Sequence, residues 1–215
     1  MENINANFLS GINKESSFGA INKSLDQCEK NPIQVISWKD FQHKPEAYFS
    51  IAYNDALFVK FYVTEDDIRA IYKNTNDPVY EDSCVEFFIA LKNSDKYYNF
   101  EFNCFGTCLL GYGNSKENRQ LVSPKIIKSI KTETLIKPEY RMIGRLITWQ
   151  LTIVVPLNVF CFDFLQSLEN QSVKANFYKC GDETDKKHYL SWKHVDAPKP
   201  DFHQPESFGT LTFKQ

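Results

Sequence analysis

The sequence predicts an all-β chain, an antiparallel β-sandwich with at most one or two short helices. Three observations lead there. Phe, Tyr and Trp number 18, 11 and 3 among 215 residues, and with Val and Ile they favour a pleated surface over a helix. Apolar residues recur at every second position in several segments. Turn-forming residues separate these segments, without the long intervening helices that a parallel α/β sheet requires.

Residues 56–64, ALFVKFYVT, show the alternation most clearly. Leu57, Val59, Phe61 and Val63 share one face, and Lys60 and Thr64 share the other. Residues 47–53 form the preceding strand, with Asn54-Asp55 as a tight turn. A second hairpin joins residues 85–91 to residues 97–105 around Asn93-Ser94-Asp95. Further strands are expected at residues 108–112, 125–130, 147–155, 173–180 and 209–213. Short helices are expected only at residues 65–73 and 159–168. The first thirty residues, rich in Asn, Ser and Lys, read as a poorly structured segment, which leaves residues 31–215 as one domain.

Charge and composition exclude several roles. A net charge of -2 and the lack of a basic stripe argue against nucleic acid as a partner. Residues 146–165 are apolar, but Gln150, Pro156, Asn158 and Asp163 interrupt them, so no membrane span is expected. The opening MENINANFLSGINKESS is polar and mixed rather than leader-like. That favours a cytoplasmic location with free thiols at Cys28, Cys84, Cys104, Cys108, Cys161 and Cys180. A periplasmic or secreted location follows if a leader precedes the chain. Cys104 and Cys108 lack a second Cys/His pair at zinc-like spacing, and His43, His188, His194 and His203 are scattered. No GxSxG or GxxxxGK[ST] occurs, so no metal or cofactor is assigned.

Two places carry chemistry. In the second hairpin, Val85, Phe87, Ile89 and Leu91 face the core with Tyr98, Phe100, Phe102 and Cys104. Glu86 must then share the opposite, outward face with Glu101 and Asn103, because a slip of one residue would bury the acids instead. Two carboxylates so placed suit either a glycosidase acid/base pair or acceptors for sugar hydroxyls, and they also suit a solvated sheet face. Like charges this close require an offsetting lysine, metal or ligand. The second place is residues 196–209, DAPKPDFHQPESFG. Its prolines stiffen a loop in which Phe202 can stack on a flat ligand or plug the end of the sandwich.

The strings DSCVEFFIA from Asp82, YYNFEFNCFGT from Tyr97, ANFYKCGDE from Ala175, LSW from Leu190 and PDFHQPESFGTLTF from Pro200 resemble carbohydrate-binding module family 9, in the family's order. The likeness spans roughly residues 33–214 and is closest to family-9-like proteins of gut-type bacteria. It implies a β-sandwich gripping a mono- or oligosaccharide between two rings. By position these rings are Tyr80 and Phe202, where well-known members have tryptophans. The resemblance further implies ligand contacts from Glu86, Asn176, Tyr178 and Lys199, and from Glu101, which stands where those members have an arginine; Asn103, on the same strand face as the two acids, is a further candidate contact. Some members bind structural calcium, for which no ligands are assigned here. The function so implied is a non-catalytic carbohydrate-binding domain linked to polysaccharide or oligosaccharide utilisation. The alternatives are a glycoside-acting enzyme using Glu86 and Glu101, and a protein-interaction scaffold that has lost its sugar.

Overall fold

A computed structural model describes residues 3–91, 94–141 and 144–215. In chain order the strands are β1 (Ile4–Phe8), β2 (Asn31–Pro32), β3 (Val35–Ile36), β4 (Glu46–Tyr53), β5 (Ala56–Glu65), β6 (Cys84–Ala90) and β7 (Tyr97–Asn103). They continue as β8 (Cys108–Gly113), β9 (Arg119–Leu121), β10 (Lys131–Arg141), β11 (Gly144–Pro156), β12 (Ser172–Gly181), β13 (His188–Ser191) and β14 (Gly209–Lys214). The α-helices are α1 (Phe18–Leu25) and α2 (Pro124–Ile127). The strands follow one path, β10-β11-β5-β4-β1-β14-β12-β6-β7-β8-β9, with β2, β3 and β13 attached at its side. This sheet curls into two layers. Phe49 on β4 stacks on Phe177 on β12 with ring centres 3.6 Å apart, and Phe87 stacks on Phe100 within its own layer at 4.4 Å.

The alternation read from the sequence sets the interior. Leu57, Val59, Phe61, Val63, Phe87, Ile89, Phe100 and Phe102 all lie in one buried cluster. The sheet is mixed rather than purely antiparallel, because β1 runs parallel to both β4 and β14. No helix among the described residues is long and apolar enough to cross a membrane.

Four local expectations need correction. Residues 1–30, expected to be poorly structured, supply β1 at the bend between the layers and α1 on the outside. Only Ile4 and Ala6 of β1 face inward, too little apolar signal to stand out in a polar segment. Ser17 caps α1, while Ile21 and Leu25 pack on Ala52, Phe58 and Val154. Residues 125–130, expected as a strand, begin α2 instead, because Pro124 occupies its first turn and the Ile126 and Ile127 amides bond the Ser123 carbonyl. Residues 66–73 form no helix: the Asp82 carboxylate accepts from the amides of Ile71 and Tyr72, which holds them extended. Residues 160–168 form no helix either: a short 3-10 turn, Leu157–Val159, ends before them, and Phe164 sits at a left-handed φ of 48°. The expected turn at Asn93 lies partly outside the described residues.

The inward parity of the strands continues into charge at one end of the sandwich. Glu65 follows Val63 on the interior face of β5, and Lys179 follows Phe177 on that of β12. Their side chains meet across the layers at 3.0 Å, both almost fully buried. Trp149 Nε1 donates to Glu65 Oε1 at 2.6 Å. Lys179 Nζ donates to His188 Nε2 at 2.8 Å, and His188 Nδ1 meets the Lys186 carbonyl at 2.8 Å. His188 must therefore be neutral, with its proton on Nδ1. Burial and the adjoining ammonium lower its pKa from 6.5 to about 2.

This network generates two expected outcomes. Glu65→Gln leaves the Lys179 ammonium buried without its anion, and should cost about 3–5 kcal/mol in denaturant unfolding. For His188, the unfolded chain takes a proton below about pH 6.5 and the folded chain does not, so stability is lost as pH falls. The loss approaches about 1.4 kcal/mol per pH unit. Melting curves of His188→Gln between about pH 6.5 and pH 4 should therefore be flatter than those of wild type.

Candidate functional site

The outward face of β6, β7 and β12 is covered rather than solvated. Cys84, Glu86 and Phe88 on β6, Tyr97, Asn99, Glu101 and Asn103 on β7, and Tyr178 and Cys180 on β12 are all buried. The cover is a second apolar cluster built from Trp38, Val79, Val195, Phe202 and Phe208. The expectation of two acids and an amide exposed on an open face is thus corrected: Glu86, Glu101 and Asn103 are 3%, 2% and 0% exposed. Sequence alternation identifies the two faces of a strand, but not whether a distant loop will lie over the second one.

Asp82 fastens part of this cover. Besides the Ile71 and Tyr72 amides, its carboxylate accepts from Arg69 at 2.6 Å and from Asn103 Nδ2 at 3.0 Å. The proline-rich loop supplies the rest. Phe202 stacks on Tyr178 at 4.1 Å, and the Tyr178 hydroxyl donates to the Phe202 carbonyl at 3.3 Å.

Between the covering segments and the sheet lies a narrow pocket with a cavity volume of about 50 Å³. Tyr80, Glu86, Glu101, Arg119, Asp182 and Phe202 line it, with Lys116, Cys180, Tyr189 and His203 also reaching it. Larger hollows of about 530 and 800 Å³ lie elsewhere, one beside His43 and Glu65 and the other beside Phe8 and Phe164. Neither contains any position to which the sequence assigned ligand contact.

Glu86 and Glu101 sit directly opposite each other on β6 and β7. Burial, reinforced by the facing carboxyl, drives the Glu86 pKa well above the usual carboxylate range. Glu101 is also raised by burial, despite Arg119 Nη1 at 3.1 Å from its Oε1. Asn99 donates to the same oxygen at 2.7 Å, whereas Glu101 Oε2 is buried without a hydrogen-bond partner. Arg119 also donates to His203 Nε2 at 3.2 Å, and His203 Nδ1 meets the Tyr97 hydroxyl at 2.7 Å. That arrangement makes His203 a neutral donor toward Tyr97, with its pKa lowered by burial to about 3. Asp182 is raised by burial to about 7.

Of the eight positions taken from the sequence, Tyr80, Glu86, Glu101 and Phe202 come together in this pocket. Tyr178 lies immediately behind Phe202 as its stacking partner. The other three lie elsewhere. The Asn103 side chain bonds Asp82, the Tyr72 carbonyl and the Phe105 and Thr107 amides. Asn176 bridges to the backbone of Lys193 in both directions, and Lys199 is exposed away from the pocket. Sequence reasoning missed Arg119, Asp182 and His203. Arg119 comes from the three-residue strand β9, whose short polar sequence carries no signal of its own.

Comparisons with known proteins agree with this architecture. The profile of carbohydrate-binding family 9 matches residues 20–213, and the chain belongs to that family. It is therefore a non-catalytic carbohydrate-binding domain. The chain is similar to a crystal structure of a candidate carbohydrate-binding protein from Bacteroides uniformis, with 34% identity, a TM-score of 0.89 and 99% of each chain covered. It shares its fold with a family 9 module of Caldicellulosiruptor kristjanssonii in complex with glucose, at 13% identity and a TM-score of 0.60, over 99% of this chain and 96% of that one. The cellotriose complex of a family 9 module from that organism gives 13% identity and a TM-score of 0.54, over 99% and 94% of the two chains. No curated protein sequence matches.

The packing of the two rings differs, which gives a testable contrast. Phe202 is 8% exposed and touches Trp38, Tyr178 and Tyr189, while Tyr80 is only half-buried. Phe202→Ala should cost about 3 kcal/mol or more in denaturant unfolding, and Tyr80→Ala about 1 kcal/mol or less.

Proposed function

We propose that the pocket between Tyr80 and Phe202 binds one sugar residue of a mono- or oligosaccharide, in a domain that serves polysaccharide or oligosaccharide utilisation. The observation that carries this reading is Glu101 Oε2, a buried acceptor without a partner on the wall of a pocket that also holds a guanidinium. A buried carboxylate oxygen left without a donor costs about 1–3 kcal/mol, and a sugar hydroxyl supplies that donor. Arg119 beside it donates in turn to a ring or hydroxyl oxygen. Glu86 and Asp182 lie within the same wall and offer further acceptors. The half-buried Tyr80 ring presents a face for the apolar C–H patch of a pyranose, and Phe202, itself packed on Tyr178, forms the stiff opposite wall.

This arrangement also supports binding rather than glycoside cleavage. Glu101 is tied to Arg119 and Asn99 through one oxygen, and is therefore placed to hold a hydroxyl rather than to shuttle a proton. Glucose and cellotriose, which the Caldicellulosiruptor modules hold, are the first ligands to try. Xylose, galactose and mannose oligosaccharides complete the panel.

In isothermal titration the preferred sugar should bind with Kd on the order of 10 µM to 1 mM. Glu101→Ala, Arg119→Ala and Tyr80→Ala should each weaken it by about 1–3 kcal/mol, which removes a measurable signal from that starting affinity. Wild-type binding that persists undiminished in all three variants would place the sugar elsewhere. Purified protein should release no reducing sugar from any of the same oligosaccharides.

A further inference from the structure

Three side chains that sugar binding does not require together converge here, two of them, Glu86 and Cys180, on the lining of this pocket. Cys84 and Cys180 are direct partners across β6 and β12, and Glu86 lies two residues along β6 on the same face. One donor atom from each falls within 4.8 Å of the other two. Glu86 Oε1 stands 3.1 Å from Cys180 Sγ and 3.8 Å from Cys84 Sγ. All three residues are buried.

We propose that Cys84, Cys180 and Glu86 form a binding site for a thiophilic divalent cation of the zinc type. The spacing suits such an ion. Zinc–sulfur bonds of about 2.3 Å and zinc–oxygen bonds of about 2.0–2.2 Å in a tetrahedron put neighbouring ligand atoms about 3.5–3.8 Å apart. The distances from Glu86 to the two thiols bracket that edge, so the ligands need to move only by a few tenths of an ångström. Hard, oxygen-seeking calcium fits poorly, since two of the three donors are sulfur.

Charge supplies the second argument. A buried carboxyl needs a compensating group, and the guanidinium that reaches this face, Arg119, bonds Glu101 instead. The hydrogen bonds of Glu86 are to the two thiols. A divalent ion replaces the thiol and carboxyl protons, which leave to solvent as it binds, and offsets two of the three negative charges so formed. Access is open as well, because Glu86 and Cys180 both line the pocket. The fourth coordination position therefore faces the pocket, on the side where Glu101 stands opposite Glu86. The proposal does not depend on sugar binding, whose central acceptor is Glu101.

The test uses the full chain, reduced and stripped with a chelator, and titrated with Co²⁺ as a coloured stand-in for Zn²⁺. One equivalent should produce a near-ultraviolet thiolate-to-cobalt charge-transfer band and the intense visible bands of a tetrahedral ion, both abolished by Zn²⁺. Cys84→Ser and Cys180→Ser should each weaken binding at least tenfold, and the double variant should lose the charge-transfer band. Glu86→Gln should keep that band but bind more weakly, and Cys108→Ser should behave as wild type. A folded, reduced wild type that gives no charge-transfer band overturns the proposal even where the variants do not fold. A band that survives in the double variant overturns it too, as does isolation of Cys84 and Cys180 as a disulfide that resists mild reductant. Sugar titration of the zinc-free protein reads the carbohydrate site separately.

Discussion

The structure turns on strands β6, β7 and β12 being buried on both faces. Their inner face joins the sandwich core through Phe87, Phe100, Phe102 and Phe177. Their outer face lies beneath Trp38, Phe202 and Phe208. Strands covered on one face can leave polar residues to water on the other, whereas these cannot, so each polar group there must find a partner within the protein. Asp82 gathers an arginine, an amide side chain and two backbone amides, and Asn176 closes on the backbone of Lys193. Two buried side-chain oxygens on this face lack a partner among the described residues: Glu101 Oε2, which reaches the pocket, and Asn99 Oδ1, which does not.

The same demand shapes the end of the sandwich where Glu65 and Lys179 meet. Both occupy inward positions of their strands, so their charges face each other between the layers, and Trp149, His188 and the Cys180 carbonyl supply further hydrogen bonds. A well-packed apolar pair could be as stable. What the ion pair adds is alignment, since it joins β5 to β12 at one defined register across the curl. With that end pinned, and with Phe49 stacked on Phe177 farther along, β12 can present Tyr178 and Cys180 to the other side at fixed positions.

The resemblance assigns the two ring positions to Tyr80 and Phe202, and it associates the position of Glu101 with arginine. The structure returns a guanidinium to that place from a different strand, as Arg119 of β9 reaches Glu101 at 3.1 Å. Donor and acceptor thus both stand on one wall, held by a carboxylate that is also bound by Asn99. His203, fixed between Arg119 and Tyr97, locks the proline-rich loop to the same group. This wall of the pocket is consequently held in place by several side-chain hydrogen bonds.

The period-two pattern by itself determined the strands and the inward set, because a one-residue slip anywhere in residues 56–64 or 85–91 would turn the whole apolar row outward. It also placed Glu86 and Glu101 on a shared face, while the resemblance paired Tyr80 with Phe202, and both line one pocket. Burial of that face was beyond its reach, since the cover comes from Trp38 and residues 195–208, far away in the chain. So were β1, whose role in the bend arises from pairing with β4 and β14, and Arg119, whose importance comes from the carboxylate it meets. Alternation is a local consequence of backbone geometry and can be read residue by residue. Desolvation and the pairing of charges depend on which distant segments come together, and only the tertiary structure decides that.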